Sequence, residues 1–227
     1  MKIGILQTGH APDALQEFAG DYKDMFAKFL VDGGFAFETF DVVDMQFPDG
    51  PDTCDGWLIT GSKHGAYEDH AFIRPLEDLI RAIYAADKPM VGVCFGHQII
   101  AQALGGKVEK FKDGWAVGRQ TYDWQGETIS LNAWHQDQVT ACPPDAKPLA
   151  GNDFCENAAL IYGQKAFTVQ PHPEFGSDIV DGLATHRGKG VVPDPLLDEA
   201  RANLDKDNHN KNLASMVTKF FKERTLS

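Results

Sequence analysis

A cysteine in a glycine-flanked turn is the residue of this sequence best suited to covalent chemistry. The segment around it reads Val91, Gly92, Val93, Cys94, Phe95, Gly96, His97 and Gln98. An apolar strand that runs through a nucleophile into a helix, with a glycine two positions away on each side, is typical of a nucleophile elbow. Side chains at the two glycine positions would collide with the adjacent strand and helix. The positive end of the following helix would favour the thiolate of Cys94.

A purely structural role is the alternative for Cys94, because unpaired cysteines are among the most buried residue types. A nucleophilic thiolate also needs a proton acceptor and a group that orients that acceptor. His172 and Glu174 supply both, and with one residue between them in an extended chain their side chains can share one side. The alternative for this segment is a surface turn, stiffened by Pro171 and Pro173, that happens to contain a histidine.

The elements that must position these groups alternate between strands and helices in the first half of the chain. Strands are expected at residues 2–6, 35–43, 57–60 and 90–93, and amphipathic helices at residues 14–30 and 72–86. This alternation predicts an α/β fold, with a mostly parallel sheet flanked by helices and ligands bound at the carboxyl ends of strands. Thr60 and Cys94 would then lie at neighbouring strand ends.

The second half of the chain changes pattern. Short strand-like pieces within residues 107–131 predict a small antiparallel patch joined to the sheet. Residues 158–162 and 166–169 predict a hairpin around Gly163, which leads directly into the segment that contains His172.

Length and composition are those of an ordinary globular protein. The 227 residues are 43% hydrophobic and 24% charged, so we expect one domain over residues 1–227. Residues 177–227 are more polar and are expected to form a helical extension of that domain, with helices at residues 195–204 and 212–222.

The net charge of the protein indicates which partners to expect, and its first residues indicate its location in the cell. A formal net charge of −12 opposes attraction to phosphate backbones or anionic lipid, so neither nucleic acid nor membrane is an expected partner. The first residues lack the apolar region and cleavage site of a signal peptide, and no stretch approaches a membrane-spanning length. The sequence therefore predicts a cytoplasmic protein.

The remaining cysteines and histidines carry no pattern that indicates a special site. Without C-x-x-C spacing, neither a disulfide framework nor a zinc site is expected, and we expect no metal and no cofactor. The cysteines expected to serve only in packing are Cys54, Cys142 and Cys155. The histidines expected at the surface are His10, His70, His186 and His209.

Three fragments together resemble the class I, triad-type glutamine amidotransferases, in particular the amidotransferase part of GMP synthetase and its stand-alone relatives. They are G-V-C-F-G-H-Q around Cys94, P-H-P-E-F around His172 and Glu174, and I-T-G-S at residues 59–62. Their joint occurrence, order and separation are far more specific than any one fragment. The resemblance covers residues 1–176 and implies the flavodoxin-like fold of that family.

The resemblance also implies a reaction and the residues that perform it. Cys94 would attack the side-chain carbonyl of glutamine, His172 would carry protons, and Glu174 would hold the imidazole. Ammonia would leave as a γ-glutamyl thioester forms, and water would then release glutamate.

Further site residues follow from the same resemblance. The tetrahedral oxyanion would be held by the backbone N–H groups of Gly61, Ser62 and Phe95. The α-amino and α-carboxylate groups of the substrate would be bound by Gln98, His135, Gln136 and Asp137. For His135 and Asp137, an ordinary exposed polar loop is the alternative interpretation.

One departure from the GMP synthetase pattern leaves the substrate open. Where a G-G-P loop is usual, residues 61–67 read G-S-K-H-G-A-Y, so that Lys63 and His64 add bulk and charge near the mouth. Some stand-alone members resemble γ-glutamyl peptidases, which cut larger γ-glutamyl compounds such as glutathione conjugates with the same triad. Glutamine is thus the expected substrate, and a larger γ-glutamyl compound is the alternative.

The sequence does not determine what takes up the ammonia, and it leaves two functions other than catalysis open. About 50 residues follow Gly176, too few for an ATP-dependent synthetase domain, and the sequence has no P-loop. A separate synthetase subunit would have to take up the ammonia, or the enzyme would simply hydrolyse its substrate. A catalytically idle regulatory module, or a protein in which Cys94 senses oxidants, are the alternatives to an enzyme.

Overall fold

The computed structural model describes residues 1–226, and a nine-stranded sheet forms its centre. The strands are β1 Lys2–Leu6, β2 Ala36–Phe40, β3 Gly56–Ile59, β4 Met90–Val93, β5 Lys107–Lys110, β6 Ala116–Trp124, β7 Glu127–His135, β8 Asp137–Ala141, β9 Lys147–Gly151, β10 Ala159–Tyr162 and β11 Ala166–Val169. The helices are α1 Asp13–Ala19, α2 Tyr22–Phe29, α3 Ile73–Ala85, α4 Phe95–Ala103, α5 Ser177–Leu183, α6 Asp194–Ala202 and α7 Asn210–Glu223. The strand order in the main sheet is β2-β1-β3-β4-β11-β10-β9-β6-β7.

The predicted α/β fold with a mostly parallel core is confirmed. Strands β2, β1, β3, β4 and β11 run parallel to one another. The register pairs Leu6 with Ile59 and Val93 with Val169, so the carboxyl ends of these strands lie side by side. The loops that follow them meet at one edge of the sheet, where open α/β sheets bind ligands.

The antiparallel part continues the main sheet on one side. Strands β10, β9, β6 and β7 extend it beyond β11, and the predicted hairpin around Gly163 is present as β10 and β11. Strands β5 and β8 form a separate two-stranded sheet. This part brings residues 132–137 to the same edge as the parallel strand ends.

Alternating side chains on the parallel strands fill two cores, one on each face of the sheet. Ile5 packs in a cluster that includes Phe220 of α7, whereas the next residue, Leu6, packs in a cluster with Ile80 of α3. His97 of α4 is fully buried, and its Nδ1 lies 2.8 Å from Oγ1 of Thr168. The period-two pattern of the strands thus specifies a sheet covered by helices on both faces.

The single helix predicted over residues 14–30 is wrong, because the structure has α1 and α2 there. Gly20, with a φ of 76°, ends α1 in a conformation that glycine adopts most easily. Asp21 then begins α2: its carboxylate accepts from the N–H of Tyr22 (2.8 Å), and its own N–H donates to the carboxylate of Asp24 (2.9 Å). Apolar spacing runs through this break, so periodicity alone did not reveal it.

Three helices, α5, α6 and α7, follow the hairpin in the chain and pack onto the rest of the domain. The side chains of Leu213, Val217 and Phe220 in α7 are buried in the core that also contains Ile3 and Ile5. The helices predicted at residues 195–204 and 212–222 correspond to α6 and α7 with shifted ends. Within residues 1–226, none of the helices has the length and apolar character needed to cross a membrane.

We expect the buried ring of His97 to make the stability of the protein depend on pH. Burial lowers its pKa from 6.5 to about 3. Between these values the unfolded chain binds a proton that the folded chain does not, so this contribution to stability is present above pH 6.5 and is lost as the pH falls toward 3. In urea unfolding, His97→Gln should lower the free energy of unfolding at both pH values. This loss should be about 2 kcal/mol smaller at pH 5 than at pH 7.

The matched control for this experiment is His186→Gln, since the side chain of His186 is exposed. It should change the free energy of unfolding equally at both pH values. A cost of His97→Gln that does not depend on pH would contradict a neutral, buried ring.

Candidate active site

Cys94 occupies a tight turn between β4 and α4 in an unusual backbone conformation. Its φ of 53° and ψ of −105° lie outside the regions that residues with side chains commonly adopt. A Cβ on Gly96 would collide with the carbonyl oxygen of Ile59, and a Cβ on Gly92 would lie 2.5 Å from the carbonyl oxygen of Gly96. Both glycines are therefore needed for steric reasons, and the turn fixes the position of the thiol at the strand end.

His172 and Glu174 lie in the segment that follows β11 and form a close pair. The Nδ1 atom of His172 is 2.7 Å from Oε1 of Glu174, and the two side chains are 5% and 0% exposed. The imidazole also stacks on the ring of Phe175, with centroids 4.0 Å apart and planes 2° from parallel. The backbone N–H of His172 donates to the carbonyl of Asn132 (2.8 Å). The orientation of the imidazole is thus fixed by three separate contacts.

Cys94 and His172 line one cleft and both lie against Gly61. A Cβ on Gly61 would be 2.9 Å from Cε1 of His172 and 3.7 Å from Cβ of Cys94. Burial by itself lowers the pKa of His172, but the charge of Glu174 and the charge and hydrogen bond of Cys94 outweigh it and raise the pKa above its ordinary value. These neighbours favour the protonated form of the His172 imidazole.

The loop after β3 brings the predicted oxyanion-binding amides close to this pair. The hydroxyl of Ser62 donates to the carbonyl of Thr8 (2.7 Å) and accepts from the N–H of His64 (3.2 Å), so the loop is tied to the end of β1. Phe95 is the first residue of α4, where backbone N–H groups have no acceptor within the helix. Gly61 thus lies against Cys94, Phe95 follows it in the chain, and Ser62 lines the same cleft.

The four residues predicted to bind the ends of the substrate all line this cleft, whose volume is about 270 Å³. The side-chain nitrogen of Gln98 donates to the carbonyl of Asp137 (2.9 Å) and to Oε1 of Gln170 (3.0 Å). Gln98 therefore holds the backbone of Asp137 in place. Gln136 donates weakly to the carbonyl of Phe111 at 3.4 Å.

His135 and Asp137 both line the cleft, His135 with a buried ring and Asp137 with its carboxylate. Burial lowers the pKa of His135 to about 3, so its ring is neutral near pH 7. Its Nδ1 donates to the carbonyl of Asp137 (3.2 Å), which leaves Nε2 as a buried acceptor with no partner among residues 1–226. Burial raises the pKa of Asp137, whose carboxylate accepts from the hydroxyl of Tyr67 (3.2 Å).

Two basic side chains, Lys110 and Arg187, also line the cleft, and neither was predicted from the sequence as a site residue. Arg187 lies in a π-helical segment, Ala184–Gly188, that directly follows α5, and such segments are frequent at functional sites. Among the described residues, neither side chain has a hydrogen-bond or ion-pair partner. With Lys63 they place three positive charges around the cleft of a chain whose net charge is −12. No local motif predicts Arg187, because only tertiary folding brings it to the cleft.

The fold matches solved structures of glutamine amidotransferases. One from Methylobacillus flagellatus superposes with a TM-score of 0.77 over 99% of this chain and 94% of that chain, at 20% sequence identity. One from Thermotoga maritima superposes with a TM-score of 0.73 over 100% and 98% of the two chains, also at 20% identity. At these identities the likeness establishes the fold.

Sequence comparison establishes the family. The model of the family described as glutamine amidotransferase class-I matches residues 21–182. Gamma-glutamyl peptidase 4 of Arabidopsis thaliana is 31% identical over 94% of this chain and 92% of its own length. A glutamine-hydrolysing GMP synthase of Bacteroides fragilis is 31% identical over 57% of this chain but 26% of its own length. The chain therefore belongs to the class I glutamine amidotransferase family.

Cys94 should be the first of the four cysteines to react with iodoacetamide at pH 7, because it lines an open cleft beside His172. Burial raises the pKa of the Cys54, Cys142 and Cys155 thiols, which disfavours their thiolates. Peptide mapping by mass spectrometry after partial alkylation would identify the modified residue. His172→Gln should slow alkylation of Cys94 and leave the other three rates unchanged. Preferential modification of Cys142, which is half-buried, would contradict this expectation.

Proposed function

We propose that this protein hydrolyses γ-glutamyl amides through a covalent thioester on Cys94, and that its substrates are γ-glutamyl compounds larger than glutamine. The observation that carries the proposal is the position of the His172 imidazole, 2.7 Å from Glu174 on one side and facing the cleft that Cys94 lines, with both residues against Gly61. A nucleophile, a proton carrier and an orienting carboxylate are the parts that acyl transfer requires.

In the first half of the reaction, the Cys94 thiolate attacks the γ-carbonyl carbon and forms a C–S bond. The carbonyl oxygen becomes an oxyanion, for which the N–H groups of Gly61, Ser62 and Phe95 are the proposed donors; one such donor contributes about 3 kcal/mol. His172 passes its proton to the leaving nitrogen, and the C–N bond breaks. The products are a free amine and a γ-glutamyl thioester.

In the second half, water attacks the thioester carbon while neutral His172 accepts a proton from it. The C–S bond breaks, glutamate leaves, and Cys94 returns to the thiolate beside the imidazolium. Glu174 keeps the ring orientation throughout, because its carboxylate is fully buried against Nδ1.

The α-ammonium and α-carboxylate groups of the γ-glutamyl part need separate partners. Asp137 offers a carboxylate in the cleft, so we assign it to the α-ammonium group, and His135 lies beside it with Nδ1 on the Asp137 carbonyl. Gln98 fixes the backbone of Asp137 through a hydrogen bond. Gln136, the residue before Asp137, also lines the cleft. Gln98 thus acts through Asp137 as a positioning residue.

Two observations favour a substrate larger than glutamine. The family relatives that this chain matches along nearly its whole length include gamma-glutamyl peptidases, whereas the GMP synthase match covers 57% of the chain. Lys63, Lys110 and Arg187 place positive charge in the cleft, and among residues 1–226 none of the three side chains has an ion-pair partner. A γ-glutamyl peptide carries a further carboxylate beyond the scissile bond, and that group would complement this charge.

A second candidate is glutamine hydrolysis that supplies ammonia to a separate synthetase subunit. It is favoured by the 31% identity over 145 residues to the glutamine-hydrolysing GMP synthase. This candidate shares the chemistry at Cys94 and differs in the substrate, so one set of measurements separates the two.

Release of glutamate from glutamine, from glutathione and from γ-glutamyl dipeptides should be measured side by side. We expect the peptides to give higher kcat/KM than glutamine, and Cys94→Ala to lower every rate by at least about 10³-fold. A γ-glutamyl adduct on Cys94 should be trapped by acid quench and detected by mass spectrometry. Folded protein that is inactive on the whole panel would contradict the proposal and support an idle or redox-sensing protein, whereas activity on glutamine alone would favour the second candidate.

Arg187→Gln tests the assignment of the extra carboxylate. The KM for a γ-glutamyl peptide with a free carboxyl terminus should rise about tenfold, because a charged hydrogen bond is lost. The KM for glutamine should stay nearly unchanged. Arg74→Gln is the control, since Arg74 lies exposed on α3 and away from the cleft. Equal effects of Arg187→Gln on both substrates would contradict the assignment.

A further inference from the structure

The loop between β3 and α3 gathers three side chains that can ligate a metal ion. Within residues 1–226, His64, Glu68 and His70 form the one group of at least three such side chains whose ligand atoms all lie within 4.8 Å of one another. Oε2 of Glu68 is 2.8 Å from Nε2 of His70 and 3.9 Å from Nδ1 of His64. We refer to these three residues as the loop cluster.

The loop cluster is held together by its own backbone and by ring contacts. The N–H of Gly65 donates to Oε2 of Glu68 (3.0 Å), and the N–H of Glu68 donates to the carbonyl of Gly65 (3.0 Å). The rings of His64 and His70 lie with centroids 4.1 Å apart, and His70 stacks on Phe72 with planes 16° from parallel. The carboxylate and the two imidazoles are thus already brought together by the fold of the loop.

Two imidazoles and one carboxylate are a donor set that proteins use for zinc with a fourth position left open. Donor atoms around a tetrahedral zinc ion lie roughly 3.3 Å from one another, given metal–ligand distances near 2.0–2.1 Å. The observed separations of 2.8 Å and 3.9 Å bracket this value. The third pair, His64 and His70, also has donor atoms within 4.8 Å of each other, so all three donors lie near one point.

We propose that His64, Glu68 and His70 bind a divalent transition-metal ion of the zinc class at the entrance of the catalytic cleft. His64 and Glu68 line the same cleft as Cys94, so a bound ion would lie at its mouth, outside the Cys94, His172 and Glu174 group. The ion would also tie down the loop that carries Ser62. The spacing His-x₃-Glu-x-His is not a familiar ligand pattern, so the sequence led to the opposite expectation of no metal.

Direct binding of the metal alone tests this proposal independently of enzymatic activity. The chain should carry Cys94→Ala, because Cys94 and His172 can themselves bind zinc. Zinc affinity would be measured by competition with a chromophoric chelator, and Co²⁺ would be added as a spectroscopic probe of coordination. We expect one tight site per chain and the intense visible absorption of four-coordinate Co²⁺.

Matched variants decide whether the site is the loop cluster. Within the Cys94→Ala chain, His70→Gln and Glu68→Gln should each raise the zinc dissociation constant by about tenfold or more, since each removes a ligand. His186→Gln replaces an exposed histidine outside the cluster and should leave the dissociation constant unchanged. Circular dichroism would establish that each variant is folded, and either of the two cluster variants alone is sufficient for the test.

Two results would overturn the proposal. One is a folded Cys94→Ala chain that neither competes with the chelator nor gives the four-coordinate Co²⁺ spectrum. The other is zinc binding that survives Glu68→Gln or His70→Gln unchanged. Because Cys94 is absent throughout, failure of the metal site says nothing against hydrolysis of γ-glutamyl compounds, and an inactive wild-type enzyme could still bind the ion.

Discussion

The strained turn at Cys94 is the constraint on which the rest of the site depends. A residue with a side chain holds a φ of 53° together with a ψ of −105° only where the surrounding structure enforces it. The N–H of Cys94 donates to the carbonyl of Val169 (2.9 Å), and the N–H of Gly96 donates to the carbonyl of Thr60 (3.1 Å). The turn is thus held between two neighbouring parallel strands. Packing and hydrogen bonds of the sheet stabilise the strained turn. The turn in consequence fixes the thiol of Cys94 at the edge of the sheet.

The other half of the pair is held by parts of the chain that are distant in sequence. Asn132 of β7 accepts from the N–H of His172 and donates to the carbonyl of Phe175 (2.9 Å). Asn210 at the start of α7 donates to the same carbonyl (2.9 Å). The antiparallel strands and the last helix therefore position the imidazole, which gives the C-terminal part of the chain a direct connection to the site.

The sequence predicted those features that depend on local patterns. Strands such as Lys2–Leu6 and Met90–Val93 are continuous apolar runs, and the elbow around Cys94 has a steric signature in its glycines. The parallel sheet followed from the alternation of such strands with amphipathic helices, and the comparisons confirmed the family that the combined motifs resemble. The break at Gly20 was missed because apolar spacing continues across it.

Features that arise from tertiary folding could not be predicted in this way. Arg187 reaches the cleft because α5 and its π-helical continuation pack beside it, and nothing next to Arg187 in the sequence signals that position. The unpartnered Nε2 of His135 depends on a hydrogen bond to a backbone carbonyl. The loop cluster likewise depends on how residues 64–70 turn, which spacing alone does not specify.

The central proposal is that His172 is an imidazolium held between the Glu174 carboxylate and the sulfur of Cys94. Its most direct test is ¹⁵N NMR of histidine-labelled protein across neutral and mildly alkaline pH. The account predicts that both ring nitrogens of His172 stay protonated at about pH 8, where an ordinary imidazole with a pKa of about 6.5 is neutral. It also predicts that Cys94→Ala lowers that pKa. A ring that titrates at the ordinary value with and without the thiol would contradict the account.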